Sequence, residues 1–237
     1  MKKFLLMIVF LGGLGLCCYP TVNRVTNDFE VNQSIKKFQM ITKEIQENEL
    51  AGNENSSDSN LSQLFLEFQN YNEELYDSKQ VNLADPFSYE QASFNLKRYG
   101  FEDNMVGYVI ISKLDLELPI YLGATKQNLE KGAVHLSQTS LPIGGENTNT
   151  VIAAHNGWYG KILFRHLNQL QLGDKIQITN FWETITYEVV DVEIINPDDI
   201  SKVLIQDGED LLTLMTCHPY GKNTERYLVY AKRVSEK

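Results

Sequence analysis

The chain has 237 residues and 43% hydrophobic content, enough to bury one sizeable core with an appendage beside it. Its 21 basic and 31 acidic residues give a formal charge of −10, with no basic cluster in the globular part, which argues against nucleic acid as a partner. Of its three cysteines, Cys17 and Cys18 lie in the opening segment, so the body holds Cys217 alone and no internal disulfide.

The opening "MKKFLLMIVFLGGLGLCCYP" sets Lys2 and Lys3 before an unbroken apolar stretch from Phe4 to Cys18, the layout of a secretory signal or an uncleaved anchor, and predicts that the rest is exported. These 15 apolar residues fall short of the ~20 that a span needs, but Tyr19, Pro20, Thr21 and Val22 extend the stretch through the interface. No small-x-small cleavage site precedes Tyr19, so residues 1–22 are read as a retained membrane anchor. Leu16 is bulky where a lipoprotein signal requires a small residue.

Residues 23–80 are expected to be a helical region. Phe29, Val31, Ile35, Phe38, Ile41 and Ile45 recur near helical spacing, and a polar break "LAGNENSSDSN" follows. A second stretch from Leu61 to Tyr76 sets Leu64, Phe65, Phe68, Tyr71 and Leu75 on one side. The two are expected to pair as a helical hairpin preceding the main domain. Residues 81–100 are assigned to a linker and residues 101–237 to the main folded body.

From Met105 the pattern turns to short β-rich runs: "MVGYVIIS", "LELPIYL", "TVIAAHN", "KIQITN", "TITYEVVDVEII", "DLLTLMTC" and "RYLVYAKRV". Short strands with turns between them predict a mainly β sandwich or barrel. The clearest hairpin is "KIQITNFWETITYEVV", with Asn180 to Glu183 at its turn. Only "GKILFRHLNQL" interrupts with helical spacing, through Ile162, Leu163, His166, Leu167 and Leu170.

Cys217 ends an apolar strand, at its junction with "HPYGKNTE". A free cysteine is commonly a small core hydrophobe. A lone thiol kept outside the cell is exposed to oxidation, however, and one at a strand end is a candidate nucleophile that needs an imidazole or cation nearby. His218 is adjacent in sequence and faces the other way along a strand, and His166 lies on the helical pattern. His155, at the junction of "TVIAA" and "NGWYG", is the preferred base and His135 the second choice, with the reading that neither serves left open. Arg226 begins the last strand after an eight-residue connector, so hairpin pairing would set it opposite Cys217, where a guanidinium can hold a carbonyl or a developing oxyanion. No histidine or cysteine cluster has ligand spacing, so neither a metal nor another cofactor is expected.

"TLMTC" with an arginine nine positions on and a histidine at a strand end about sixty residues upstream resembles the signature of the sortases, the cysteine transpeptidases of the Gram-positive cell surface. "TCHPYGKNTERYLV", "HLSQTSLPIGGENTNTVIAAHN" and "LFRHLNQLQLGDKI" are most similar to class C, the pilin-polymerising sortases. The resemblance spans roughly Met105 to Val234 and implies a β-barrel of about eight strands with short helices, anchored on the extracellular face of the membrane. It implies that Cys217, His155 and Arg226 are catalytic, with Thr216 in substrate binding. The implied substrates are surface or pilin proteins with a C-terminal Leu-Pro-X-Thr-Gly-like signal, and the implied acceptor is a pilin lysine or a cell-wall peptide amine. Class C enzymes also carry a lid with an Asp-Pro-aromatic motif, which Asp85, Pro86 and Phe87 match. Two features depart from the class: the sequence ends at "KRVSEK", with no second membrane segment after a basic stretch, and "AAHN" and His218 are unusual. A secreted cysteine peptidase and a non-catalytic surface protein remain the rival readings.

Overall fold

The computed structural model describes residues 2–50, 58–81, 83, 94–99, 101 and 103–234. Helix α1 (Lys2–Leu50) runs without a break from the apolar opening into the amphipathic stretch, with Pro20 inside it. Helix α2 is Asp58–Asp77, and a short α3 is Lys126–Lys131, capped by Thr125, whose hydroxyl accepts from the Asn128 amide.

Eight strands follow: β1 (Met105–Ile111), β2 (Leu116–Leu122), β3 (Ala133–His135), β4 (Thr148–Ala153), β5 (Lys175–Thr179), β6 (Thr184–Ile195), β7 (Asp210–His218) and β8 (Glu225–Arg233). They close into a barrel in the order β1-β2-β3-β4-β7-β8-β6-β5, which leaves no open edge. The pairs β2–β3 and β4–β7 are parallel and the rest antiparallel. At Gly107, where the β1–β2 register shifts, a Cβ would stand 2.2 Å from the Thr179 carbonyl oxygen, so only glycine lets β1 close against the end of β5.

Alternation sets the two faces of the wall. Leu212, Leu214, Val229 and Ala231 join the barrel interior, while Met215, Leu228, Tyr230, Val151 and Ala153 join a second cluster on the outside, under Leu83, Leu129 and Ile200. Strands β4 and β7 are thus covered on both sides, which is why they read as continuous apolar runs. The polar groups between the covers are satisfied: Thr213 Oγ1 donates to Asn149 Oδ1 at 2.8 Å, and Asn149 Nδ2 donates to the Val203 carbonyl at 3.1 Å.

Two expectations are corrected. The 162–170 stretch is not an α-helix: Leu163 has φ 46°, and a 3-10 turn covers only Leu167–Gln169. Its helical spacing arises because Leu163, Phe164, Leu167 and Leu170 all plug into the core from a tight chain of turns. In α1, Val31, Ile35 and Phe38 are buried, but Phe29 is 62% exposed and lies off their face. The buried faces of α1 and α2 also belong to the cluster that fills the barrel, so these helices help form the main core as well as precede it in sequence.

Candidate active site

Three neighbouring strand ends build the site. In the parallel β4–β7 ladder Ala153 pairs with Met215, and beyond it the Ala154 amide donates to the Met215 carbonyl at 3.1 Å. Continued past its last pair, the same register would set His155 level with Cys217. On the other side of β7 the antiparallel ladder pairs Cys217 with Arg226. Ala153, Met215 and Leu228 share the outer face, and alternate residues repeat a face, so Cys217 and Arg226 share it about one strand spacing (~4.8 Å) apart in backbone, and the same alternation carried past the end of β4 would set His155 beside them.

Local contacts fix these strand ends. Asn156 Nδ2 donates to the Cys217 carbonyl at 2.8 Å and Thr216 Oγ1 to the Ala154 carbonyl at 2.8 Å, stitching the β4 and β7 ends together. Thr216 is buried with its hydroxyl engaged in this seam. Arg226 Nη1 donates to the carbonyls of Asn223 at 3.1 Å and Glu225 at 2.9 Å, which holds the guanidinium by the β7–β8 turn. Phe164 N donates to the His155 carbonyl at 3.1 Å and closes the loop after β4. On that loop Trp158 stacks on His155, ring centroids 4.5 Å apart and planes 14° apart. Arg165 lies over the Tyr220 ring at 4.2 Å and joins the loop after His155 to the loop after Cys217.

Burial pushes the Cys217 thiol up from its ordinary value, with the Arg226 charge pulling the other way. Desolvation lowers His155, with the Glu130 charge pulling the other way. Both shifts favour a neutral thiol beside a neutral imidazole at rest. His135, the second choice, is fully buried on β3, where its Nε2 hydrogen bonds the Ser140 carbonyl at 3.0 Å and the Thr139 hydroxyl at 3.2 Å; burial holds it down at about 4. His218 sits 6.0 Å from the Tyr227 ring, on the face away from Cys217. Asp85, Pro86 and Phe87 lie outside the described residues. Among the described residues no group of three or more His, Cys, Asp or Glu is placed to hold a metal.

The sequence matches the family described as Sortase domain over residues 109–234, more than half of the chain. The chain belongs to the sortase family. Sortases are cysteine transpeptidases, and so is this protein. It is similar to Sortase D of Bacillus subtilis strain 168, 26% identical over 99% of this chain and all of that one. Among solved structures it resembles Sortase C1 of GBS Pilus Island 1 at 30% identity and TM-score 0.73, covering 87% of this chain and 93% of that one. It also resembles Sortase C of Streptococcus pneumoniae at 33% identity and TM-score 0.72, covering 86% and 97%. Its structural likeness is thus to class C sortases, and the eight-stranded barrel with short helices and an N-terminal helix is the sortase fold.

The sequence reading missed Trp158, Asn156 and the Arg165–Tyr220 contact. A signal for Trp158 was present in "NGWYG": two glycines around an aromatic pair, directly after the candidate histidine, now seen with positive φ at Gly157, Tyr159 and Gly160. Nothing in the sequence pointed to Arg165, because the contact spans two loops.

Proposed function

We propose that this sortase cleaves a Leu-Pro-X-Thr-Gly-like sorting signal between threonine and glycine and passes the threonyl carbonyl to an amine. The observation that carries the reading is the β7–β8 pairing of Cys217 with Arg226, with His155 two residues beyond the last β4–β7 pair, Ala153 with Met215. The Cys217 thiolate attacks the threonine carbonyl, and the oxyanion that forms is held by Arg226, a term worth about 3–4 kcal/mol for one donor in other acyl transfers. His155 as imidazolium gives its proton to the leaving glycine amine, the C–N bond breaks, and a thioester on Cys217 remains. The incoming amine then gives a proton to the now neutral His155 as it displaces the thiolate, which restores the starting state. Because burial raises Cys217 and lowers His155, the charged pair is the minor resting form, and the pH profile should rise on one limb with His155 and fall on the other with Cys217.

The class C neighbours, one of them the Sortase C1 of GBS Pilus Island 1, support a pilin lysine as the acceptor. Product analysis tests this reading. A signal peptide incubated with enzyme should give a branched product with a lysine-bearing pilin peptide and only slow hydrolysis without it. Hydrolysis at the same rate with and without amine would establish a peptidase, and transfer only to a cell-wall peptide amine would establish an anchoring enzyme.

We assign the first part of α1 to a membrane anchor with its N-terminus inside. The helix is long and apolar enough to cross, and 20 uncharged residues separate Lys3 from Arg24, about 30 Å at ~1.5 Å per residue. We assign Asp85, Pro86 and Phe87 to a lid on the site, Asp85 toward Arg226 and Phe87 over Cys217. What supports it is the chain just upstream: Leu83 is buried on the outer face with Met215 and Leu228, on the two strands that carry Cys217 and Arg226. Gln80 pins that approach, its Nε2 donating to the Gln138 carbonyl at 3.0 Å and its Oε1 accepting from the Ile205 amide at 2.7 Å.

A further inference from the structure

The loop that carries Trp158 touches the helix read as the membrane anchor. Asn23, the last uncharged residue before Arg24, donates through Nδ2 to the Tyr159 carbonyl. Gly160 lies against the same side chain: a Cβ there would stand 3.3 Å from Asn23 Nδ2, and φ is +86°. The loop tip is closed by reciprocal backbone hydrogen bonds, Trp158 N to Lys161 O at 3.0 Å and Lys161 N to Trp158 O at 2.8 Å, which leaves Tyr159 and Gly160 outermost. Tyr159 is held at φ 41°, an uncommon conformation for a bulky residue, and is 76% exposed.

We propose that residues 156–161 form a membrane-surface contact, with Tyr159 seated among the headgroups of the outer leaflet and Asn23 fixing the height of the loop. The proposal rests on the anchoring reading. If Lys3 and Arg24 bracket the span, Asn23 lies at the outer interface, and the Tyr159 backbone bonded to it is at that level too. An exposed tyrosine there has the apolar body and polar tip that interfaces favour. The first turns of α1 above Asn23 are apolar and exposed as well, at Val25 and Phe29, on a helix face the barrel does not cover. Continuity with the span makes the bilayer the occupant of this patch.

The consequence for the reaction is positional. Trp158 meets Tyr159 edge-on at 4.9 Å and stacks on His155 at 4.5 Å, so two ring contacts separate the headgroups from the candidate general acid. The mouth of the site would open at the bilayer surface, favouring polypeptide substrates that are themselves held at the membrane.

The chain has two tryptophans, which makes the geometry measurable. Trp182 packs on Phe181, itself against Phe38, fifteen residues beyond Asn23 on α1 and so about 22 Å farther from the span at ~1.5 Å per residue. Full-length Trp182→Phe and Trp158→Phe are reconstituted in phosphatidylcholine vesicles whose lipids are brominated near the top of the acyl chains. The expected result is loss of Trp158 emission in the first variant and unchanged Trp182 emission in the second. Should Trp182→Phe not fold, Trp158 emission is obtained as the difference between wild type and Trp158→Phe. Adding Asn23→Ala should restore Trp158 emission while flotation with the vesicles is unchanged. Vesicle-bound protein with unquenched Trp158 would overturn the proposal and leave the anchor intact. Failure to float with the vesicles would overturn the anchor, and this proposal with it.

Discussion

Trp158 lies flat on His155, with ring centroids 4.5 Å apart, and this stack accounts for part of the burial that lowers the imidazole below its ordinary value. Trp158→Ala should let water in and raise the His155 pKa, moving the acid-side midpoint of the kcat/KM profile to higher pH. Lost orientation should also lower kcat/KM at the optimum at least ~10-fold, about 1.4 kcal/mol. Trp158→Phe, which keeps a stacking partner, should recover most of the rate and the parental midpoint. An unmoved midpoint in Trp158→Ala would show that the indole does not set the environment of His155.

Arg226 is the ladder partner of Cys217, and its charge is what pulls the thiol down against burial. Arg226→Ala should shift the pH midpoint for Cys217 alkylation upward and reduce kcat/KM by on the order of 100- to 1000-fold. Arg226→Lys should keep most of the alkylation midpoint but not the rate, because an ammonium lacks the planar fork. Equal recovery of both quantities by lysine would reduce the role of Arg226 to a point charge.

The lid assignment predicts that an internal plug competes with substrate, so that only open molecules react. Asp85→Ala with Phe87→Ala should accelerate alkylation of Cys217 by a small reagent and raise peptide cleavage in vitro. Equal labelling of the folded double variant and the parent would make the segment a linker.

His135 gives the fold a pH dependence separate from the chemistry. Its pKa falls from 6.5 in the unfolded chain to about 4 in the native state, so between these values the unfolded state binds more protons. Stability is therefore complete above about pH 6.5 and lost as pH falls toward 4, by up to roughly 3 kcal/mol at 1.36 kcal/mol per unit. Urea titrations across this window should show the loss in the parent and a flatter profile in His135→Gln. A parental stability independent of pH there would contradict the assignment of His135 as a buried neutral group.

Much of the barrel was legible because its strands are long enough to alternate. β1, β2, β6 and β7 coincide closely with the apolar runs, and the β5–β6 turn falls at Asn180 to Glu183, where the Asn180 amide donates to the Glu183 carbonyl at 3.0 Å. β3 was not legible: three residues cannot show a period, and Ala133–His135 is a strand only because β2 and β4 flank it. The 162–170 turns imitated a helix because burial, not backbone period, spaced their apolar residues. The pairing of Cys217 with Arg226 followed from the connector length, whereas the level of His155 depended on the parallel β4–β7 register, which local pattern cannot supply. The contact of Asn23 with Tyr159 joins residues 136 apart and had no local signature.

The central claim is that Cys217 carries the acyl group between donor and acceptor. Intact-mass spectrometry of the enzyme quenched with acid during turnover of a Leu-Pro-X-Thr-Gly peptide measures it directly. The account predicts an adduct equal to the peptide cut after threonine, hydroxylamine-labile, mapped to Cys217, discharged by added lysine amine and missing in Cys217→Ala. An adduct on another residue, or turnover persisting in Cys217→Ala, would contradict it.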